Sequence, residues 1–446
     1  MQQAGSILSL FAAEEIPAAM ITFVSLLLFL QTGTSPGLSV CYSALLSLPW
    51  VLKSFLREKV RRTGRFRRAL QWSELLLVIC LVLLGLALNP SARMFRVTGM
   101  VSGNGGGIFV ILFFVSLLTA WHELASRMYY ERMLRPKLQR MYNGPKMFVS
   151  QMMAVFTYGL LIIVVGTLQV LCRSIFVAWS VGMLSTAFVL SLFFMFHLYS
   201  LQVCPVGDQG RSGSVIRAVR AELHIVDRIH KRHGWHRPVW MLFVLLLPQS
   251  LMFYSRVLYF LFSEADGGLG RSLQDVGFAQ GVVGVIAFCL GLYLGRRWMW
   301  GDRQMADGRT GHDMIAGDRD RYKLLILLAV LTLSPLVYLA LTCLQNPTLW
   351  QLAMAAFLAQ LCFGIGLNGC QPFVHEISGG RYRNSVNYLN VPLVAAVMLI
   401  PVLVSGWLVT WLGFRYFFLF DVLTAPLAWI CLVGFSRQLP RQLTEE

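Results

Sequence analysis

A few charged and amide side chains sit inside or at the edge of long apolar stretches, where a charge costs several kcal/mol unless it finds a cavity, a partner or the interface. Glu123 lies in TAWHELASRMYY, Thr119 to Tyr130. Two readings are open there. A cavity carboxylate can take up and release a proton; alternatively, Arg127, four residues on, completes a helical ion pair in the favourable order. Glu14 and Glu15 begin another apolar run. Adjacent helical residues point about 100° apart, so both do not face one cavity, and a helix start favours carboxylates in any case. Glu15 is retained as a proton-coupling candidate. Glu74 stands beside Arg67 and Arg68, as a gate ion pair or as a helix-start carboxylate, and is kept with Glu123 and Glu15 as a proton-coupling candidate. Arg256 could hold a carboxylate or phosphate in its planar fork, or snorkel outward. Gln249, Tyr254 and Tyr158 are candidate cavity donors that suit a sugar or peptide ligand. Gln360 sits with Phe363, Gly364 and Gly366, a group that serves close packing or binding. Asp421 is expected to make a structural hydrogen bond, and His375 and Glu376 to lie at the interface.

The elements that carry these residues follow from composition. The 446 residues are 57% hydrophobic and 13% charged, against about 25% charged in an ordinary soluble domain. Apolar residues fall in blocks such as Leu75–Leu88, which carries no charge. Such blocks, with their flanks, approach the roughly 18 residues that mark a bilayer span. The expectation is an all-α polytopic membrane protein with twelve transmembrane helices in two six-helix halves. The spans are placed near 11–31, 37–56, 70–89, 106–126, 147–171, 175–201, 239–262, 275–295, 323–344, 348–370, 386–409 and 414–436. The halves are residues 1–203 and 239–446, joined by a linker over 204–238. In that linker Ile216, Val219, Leu223 and Val226 form one apolar stripe on a basic helix suited to an anionic leaflet. The polar loop from Arg296 to Arg321 mixes charges and is read as flexible.

Lysine and arginine set the orientation. The loops after even-numbered spans, with the C-terminus, hold 32 of the 38, and the opposite side holds five. The positive-inside rule then puts both termini in the cytoplasm. The net charge of +17 is explained by topology, and no nucleic-acid partner is expected. The nine cysteines show no metal-ligand or CxxC spacing.

The loop LREKVRRTGRFRR, Leu56 to Arg68, resembles the glycine-aspartate-arginine-glycine-arginine pattern of the major facilitator superfamily. Arg62, Gly64 and Arg65 match and imply a gating loop. Arg57 replaces the first glycine, and Arg61 the aspartate that helps latch the cytoplasmic side. SALLSLPWVLKSFL (Ser43–Leu56) and TAWHELASRMYY are similar to spans 2 and 4 of the AmpG-like permeases, the peptide and acetyl-coenzyme A transporter group. Glu123 falls on the first span-4 aspartate of that group and Arg127 on the second, and Arg127 is kept with Arg256 and Gln360 as a substrate-binding candidate. Gly267–Gly295 resembles its span 7–8 region, and Gln360–Gly366 and Gly406–Phe418 its spans 10 to 12. The resemblance implies proton-driven import of muropeptides or related anhydro-amino sugars, or movement of acyl-coenzyme A.

No GxxxxGK[ST], HExxH or GxSxG signature is present, and neither a cofactor nor a metal is expected. The leading expectation is a proton-coupled importer of a muropeptide-like or other bulky anionic solute. It is placed in the cytoplasmic (inner) membrane as a monomer, with the solute, a coupling proton and the lipid bilayer as partners. Two alternatives stay open. One is a membrane-bound enzyme on lipid or acyl-coenzyme A, for which His122 and His197 are the candidates. The other is a transporter-shaped sensor that has lost flux.

Overall fold

A computed structural model describes residues 2–90, 105–203, 236–300, 318–377 and 383–438. Among these, every regular element is helical. That is the expected solution in lipid, where a helix satisfies its own backbone groups. Eleven helices are long and apolar enough to cross a membrane, and a shorter apolar one completes twelve. They are α1 (Gly5–Gln31), α2 (Pro36–Val51), α3 (Phe66–Leu88), α4 (Gly106–Met133), α5 (Gly144–Cys172) and α6 (Ile175–Ser200). The remainder are α7 (Val239–Leu261), α8 (Leu273–Met299), α9 (Tyr322–Thr342), α10 (Leu349–Cys370), α11 (Leu393–Leu412) and α12 (Phe414–Val433).

Two elements differ from expectation. The first span starts upstream of residue 11. Its 27 residues extend about 40 Å at 1.5 Å per residue, longer than a hydrocarbon core of about 30 Å. The second span, expected as one helix over 37–56, is interrupted. Helix Pro36–Leu45 gives way to a turn, then Leu48–Val51, then an amphipathic helix Lys53–Thr63. Pro49 opens the middle piece because proline has no N–H and fits only a first helical turn. Gly64 ends the last piece at φ 59°, the left-handed cap that glycine adopts without strain.

The chain divides into two compact units, Met1–Leu223 with Ser272–Val282, and His224–Arg271 with Val283–Glu446. Lipid gives no hydrophobic force between helices, so close packing and interhelical bonds must hold each unit. In the first unit α6 lies tight on α3 at Gly85, where an added Cβ would come 2.8 Å from Leu184. Ser180 there donates to the Gly85 carbonyl at 2.6 Å. A core of Leu10, Phe11, Val60, Phe66, Leu70, Leu124 and Tyr130 joins α1, α3, α4 and the Lys53–Thr63 helix. In the second unit Gly291 and Gly295 of α8 pack on α10 backbone at Leu361 and Ile365. Leu246, Leu327, Leu328 and Leu331 form a core there, and Phe418 stacks on Tyr338 and meets Tyr259 edge-on. Large apolar side chains such as Trp72, Phe188, Trp350 and Ile430 are more than half exposed, a surface that needs lipid.

Among the described residues three helices carry π-helical turns, Met20–Val24, Val155–Leu160 and Gly277–Val283. Such insertions recur at functional positions because they shift side-chain register within a helix.

Candidate functional site

Carboxylates and cations from four helices meet in the first unit. Glu123 on α4 forms an ion pair with Lys53. It also accepts from the Trp50 indole N–H at 3.0 Å and lies 3.5 Å from Arg127. The breaks in and after α2 bring Trp50 and Lys53 onto α4. Sequence spacing points to Arg127 alone. Yet Lys53 is buried, whereas the Arg127 side chain is 49% exposed.

Glu14 and Glu15 are not at a helix start, as the sequence suggested. Helix α1 begins upstream, so both sit in its third turn after Gly5. Glu15 accepts from the Ser150 hydroxyl on α5 at 2.5 Å. Glu14 keeps one carboxylate oxygen, Oε2, buried without a hydrogen-bond partner among the described residues. It interacts electrostatically with Glu123, His122, Lys53 and Lys146. The Lys146 ammonium lies 3.8 Å from the Phe11 ring centre and 5.4 Å from that of Tyr130. Such cation–π contacts let an ammonium leave water at lower cost. Glu14 and Glu123 thus share one electrostatic group with Lys53, Arg127 and Lys146, and Glu15 lies at its edge on Ser150.

Glu74 is likewise not a helix-start carboxylate. It is fully buried in α3, and its Oε1 meets His122 Nε2 at 3.0 Å and His197 Nδ1 at 2.7 Å. The two histidines lack a partner only in sequence, and Glu74 supplies one in space. Both rings aim at a single oxygen, which makes a hydrogen-bonded bridge. Among the described residues no His, Cys, Asp and Glu group is placed to hold a metal.

In the second unit Arg256 is buried at 9% exposure. With the Gln360 amide oxygen turned toward it, both terminal guanidinium nitrogens donate to α10, one at 2.8 Å. Gln360 fixes the fork and leaves its charge intact. Arg256 also lies 5.8 Å from the Phe253 ring centre. It is anchored rather than extended to the interface. Gln249 donates to the Leu331 carbonyl at 2.5 Å and to Ser334, so it ties α7 to α9. Tyr254 is buried against Phe253, ring centres 4.9 Å apart. Asp421 does not make the expected side-chain hydrogen bond. It is fully buried and neither carboxylate oxygen has a partner among the described residues.

Tyr158 lies where the three π-helical turns gather. Its hydroxyl bonds Thr22 at 2.6 Å, with either oxygen able to donate, and its ring meets Phe23 edge-on at 5.1 Å. Gly281 presses on the Tyr158 carbonyl, where a Cβ would overlap it. Of the residues expected in a gating loop, Gly64 caps its helix and Arg65 is exposed. The side chains of Arg62, His375 and Glu376 lie outside the described residues, as do Ile216, Val219, Leu223 and Val226.

A scan against protein-family models finds no match to this chain. A search of curated protein sequences finds none either. Solved structures do match over nearly the full length. The chain is similar to the nucleoside transporter NupG at TM-score 0.68 and 11% identity, covering 98% of this chain and 100% of that one. It is similar to a mutant of the peptide transporter POT in complex with alafosfalin at TM-score 0.66 and 12% identity, covering 98% and 95%. A bacterial homolog of the human lysosomal transporter Spinster, inward-facing and unoccupied, matches at TM-score 0.58 and 13% identity, covering 98% and 96%. Twelve apolar helices in two units, matched from end to end by these structures, make this chain a multi-pass membrane protein of the major facilitator fold.

Proposed function

We infer that the chain is a proton-coupled secondary transporter that imports a bulky anionic, muropeptide-like solute by alternating access. The observation that carries this reading is the ion group of Lys53, Glu123 and Arg127 with Glu14 beside it, all within a membrane-embedded unit. A proton added to Glu123 cancels the charge that holds Lys53. Breaking a buried pair costs about 3–5 kcal/mol. Inverting a two-state equilibrium from 1:99 to 99:1 takes about 5.5 kcal/mol. One proton at this group therefore acts on the scale that moves a transporter between states.

Arg256 is the proposed anchor for the solute's carboxylate or phosphate, because Gln360 pre-orients its fork. Tyr254, buried two residues before Arg256 on α7, is the proposed aromatic and hydroxyl donor for a sugar or peptide portion. The nucleoside and peptide transporters among the similar structures support transport of an organic solute with polar groups. The bias of 32 basic residues against five supports an inner-membrane location with both termini in the cytoplasm. Enzyme chemistry is disfavoured at the histidines. His122 and His197 are 1% exposed or less, which closes them to a substrate.

The test is Glu123→Gln in proteoliposomes. Uphill uptake of labelled anhydro-muropeptide under an imposed proton gradient is expected to be lost while counterflow exchange persists. Uphill uptake that survives the substitution removes Glu123 as the proton carrier.

A further inference from the structure

The bridge at Glu74 continues to a fourth helix. His197 Nε2 lies 2.9 Å from the Ser9 hydroxyl on α1, and Ser9 also reaches the Ser6 carbonyl at 3.0 Å. On the other side His122 Nδ1 lies 3.4 Å from Ser126 Oγ. An ionised carboxylate only accepts. His122 Nε2 and His197 Nδ1 must then both donate to Glu74 Oε1, which fixes both tautomers. The outer nitrogen of each ring is left bare and accepts from a serine hydroxyl. In that state the three groups carry one net negative charge, and a charge in the membrane interior is costly. One added proton cancels it.

The two outer nitrogens are not equivalent. Ser126 and His197 are fully buried, whereas Ser9 is partly exposed, so Ser9 is the one member of this hydrogen-bonded chain through which a proton can be passed inward to His197. Ser9 also has two settings. Its hydroxyl can donate to His197 Nε2, or turn to the Ser6 carbonyl and accept from a protonated Nε2–H. Both are within hydrogen-bond distance without moving the backbone.

We propose that Ser9, His197, Glu74 and His122 form a second proton-binding site, separate from the Glu123 group, which takes one proton at His197 Nε2. The step balances simply. Water at the Ser9 end gives up a proton, an N–H bond forms at Nε2, and His197 becomes an imidazolium paired with the Glu74 carboxylate. Ser9 turns to Ser6. His122 stays neutral and positions the carboxylate through its own N–H. The other charged groups on the packed helices are Glu14 and Glu15 on α1, Arg67 and Arg68 on α3, and Glu123, Arg127, Glu131 and Arg132 on α4. Arg67 is engaged with the Leu198 carbonyl at 3.1 Å. Helix α6 holds no ionisable group besides His197 and the tyrosine Tyr199. A role for this site in transport rests on the proton-coupled reading above; the proton binding itself does not.

The experiment is ¹⁵N-histidine NMR of the purified full-length protein between about pH 5 and about pH 8. His122→Gln and His197→Gln assign the two resonances. His197 is expected to gain a proton at Nε2 while His122 remains a neutral Nε2–H tautomer, and Glu74→Gln is expected to abolish the His197 transition. A wild-type His197 that stays neutral throughout, or titrates unchanged in Glu74→Gln, overturns the proposal. Uptake of labelled anhydro-muropeptide under a proton gradient is the second arm. If His197 titrates and the wild type shows no gradient-driven uptake, the transporter reading fails and the proton site stands. If His197→Gln leaves both uptake and its pH profile unchanged, the site has no part in coupling.

Discussion

Replacing Lys53 with methionine keeps the stem and removes the charge. The Lys53 side chain is 5% exposed and Glu123 14%, so water does little to compensate the orphaned carboxylate. Removing one member of a buried pair costs about 3–5 kcal/mol. Trp50 at 3.0 Å and Arg127 at 3.5 Å remain on Glu123, which places the loss near the lower end, about 3 kcal/mol. Arg127→Gln is a different case. With half its side chain in solvent, Arg127 contributes about 1 kcal/mol at most. Lys53→Met combined with Glu123→Gln removes both members of the pair and regains about 1–2 kcal/mol over the single Lys53 variant. Detergent-mixture unfolding of the purified protein, followed by tryptophan fluorescence, reads all three. Equal losses for Lys53→Met and Arg127→Gln would refute the assignment of Lys53 as the principal partner. So would a double variant that costs the sum of its parts.

Gly281→Ala is expected to destabilise by about 1–3 kcal/mol in thermal unfolding because its Cβ overlaps the Tyr158 carbonyl; a gain, as for an unconstrained helical glycine, would show that α5 and α8 are not pressed together there. Asp421→Asn is expected to leave stability unchanged or raise it, since the carboxylate oxygens have no partner among the described residues. A loss above about 1 kcal/mol would reveal a bond that Asp421 makes as an anion. Arg256→Lys is expected to weaken anhydro-muropeptide binding in calorimetry by about tenfold or more through loss of the bidentate fork, and unchanged affinity would take Arg256 out of the solute site.

The apolar blocks made the spans legible, because bilayer thickness fixes how long an apolar run must be. Span 2 was the least legible. Its serines and Pro49 break the helix, and the broken helix delivers Lys53 and Trp50 to Glu123. The start of α1 was missed because the helix begins in a weakly apolar stretch, QQAGSIL, before the hydrophobic run. That misplaced Glu14 and Glu15 at a helix end. Arg127 was readable beside Glu123 because a four-residue spacing is local. The Glu74 bridge was not, since its histidines lie 48 and 123 positions away. No periodicity encodes such a contact; only the packing of α3, α4 and α6 makes it. Gly64 was found by motif, and its left-handed cap supplies the physical reason for a glycine there.

The most direct measurement is accumulation of labelled anhydro-muropeptide in proteoliposomes of the full-length protein under an imposed proton gradient, with and without a protonophore. Proton-coupled transport predicts accumulation above the external concentration that collapses when the protonophore is added. Binding without flux, or equilibration that ignores the protonophore, would contradict it.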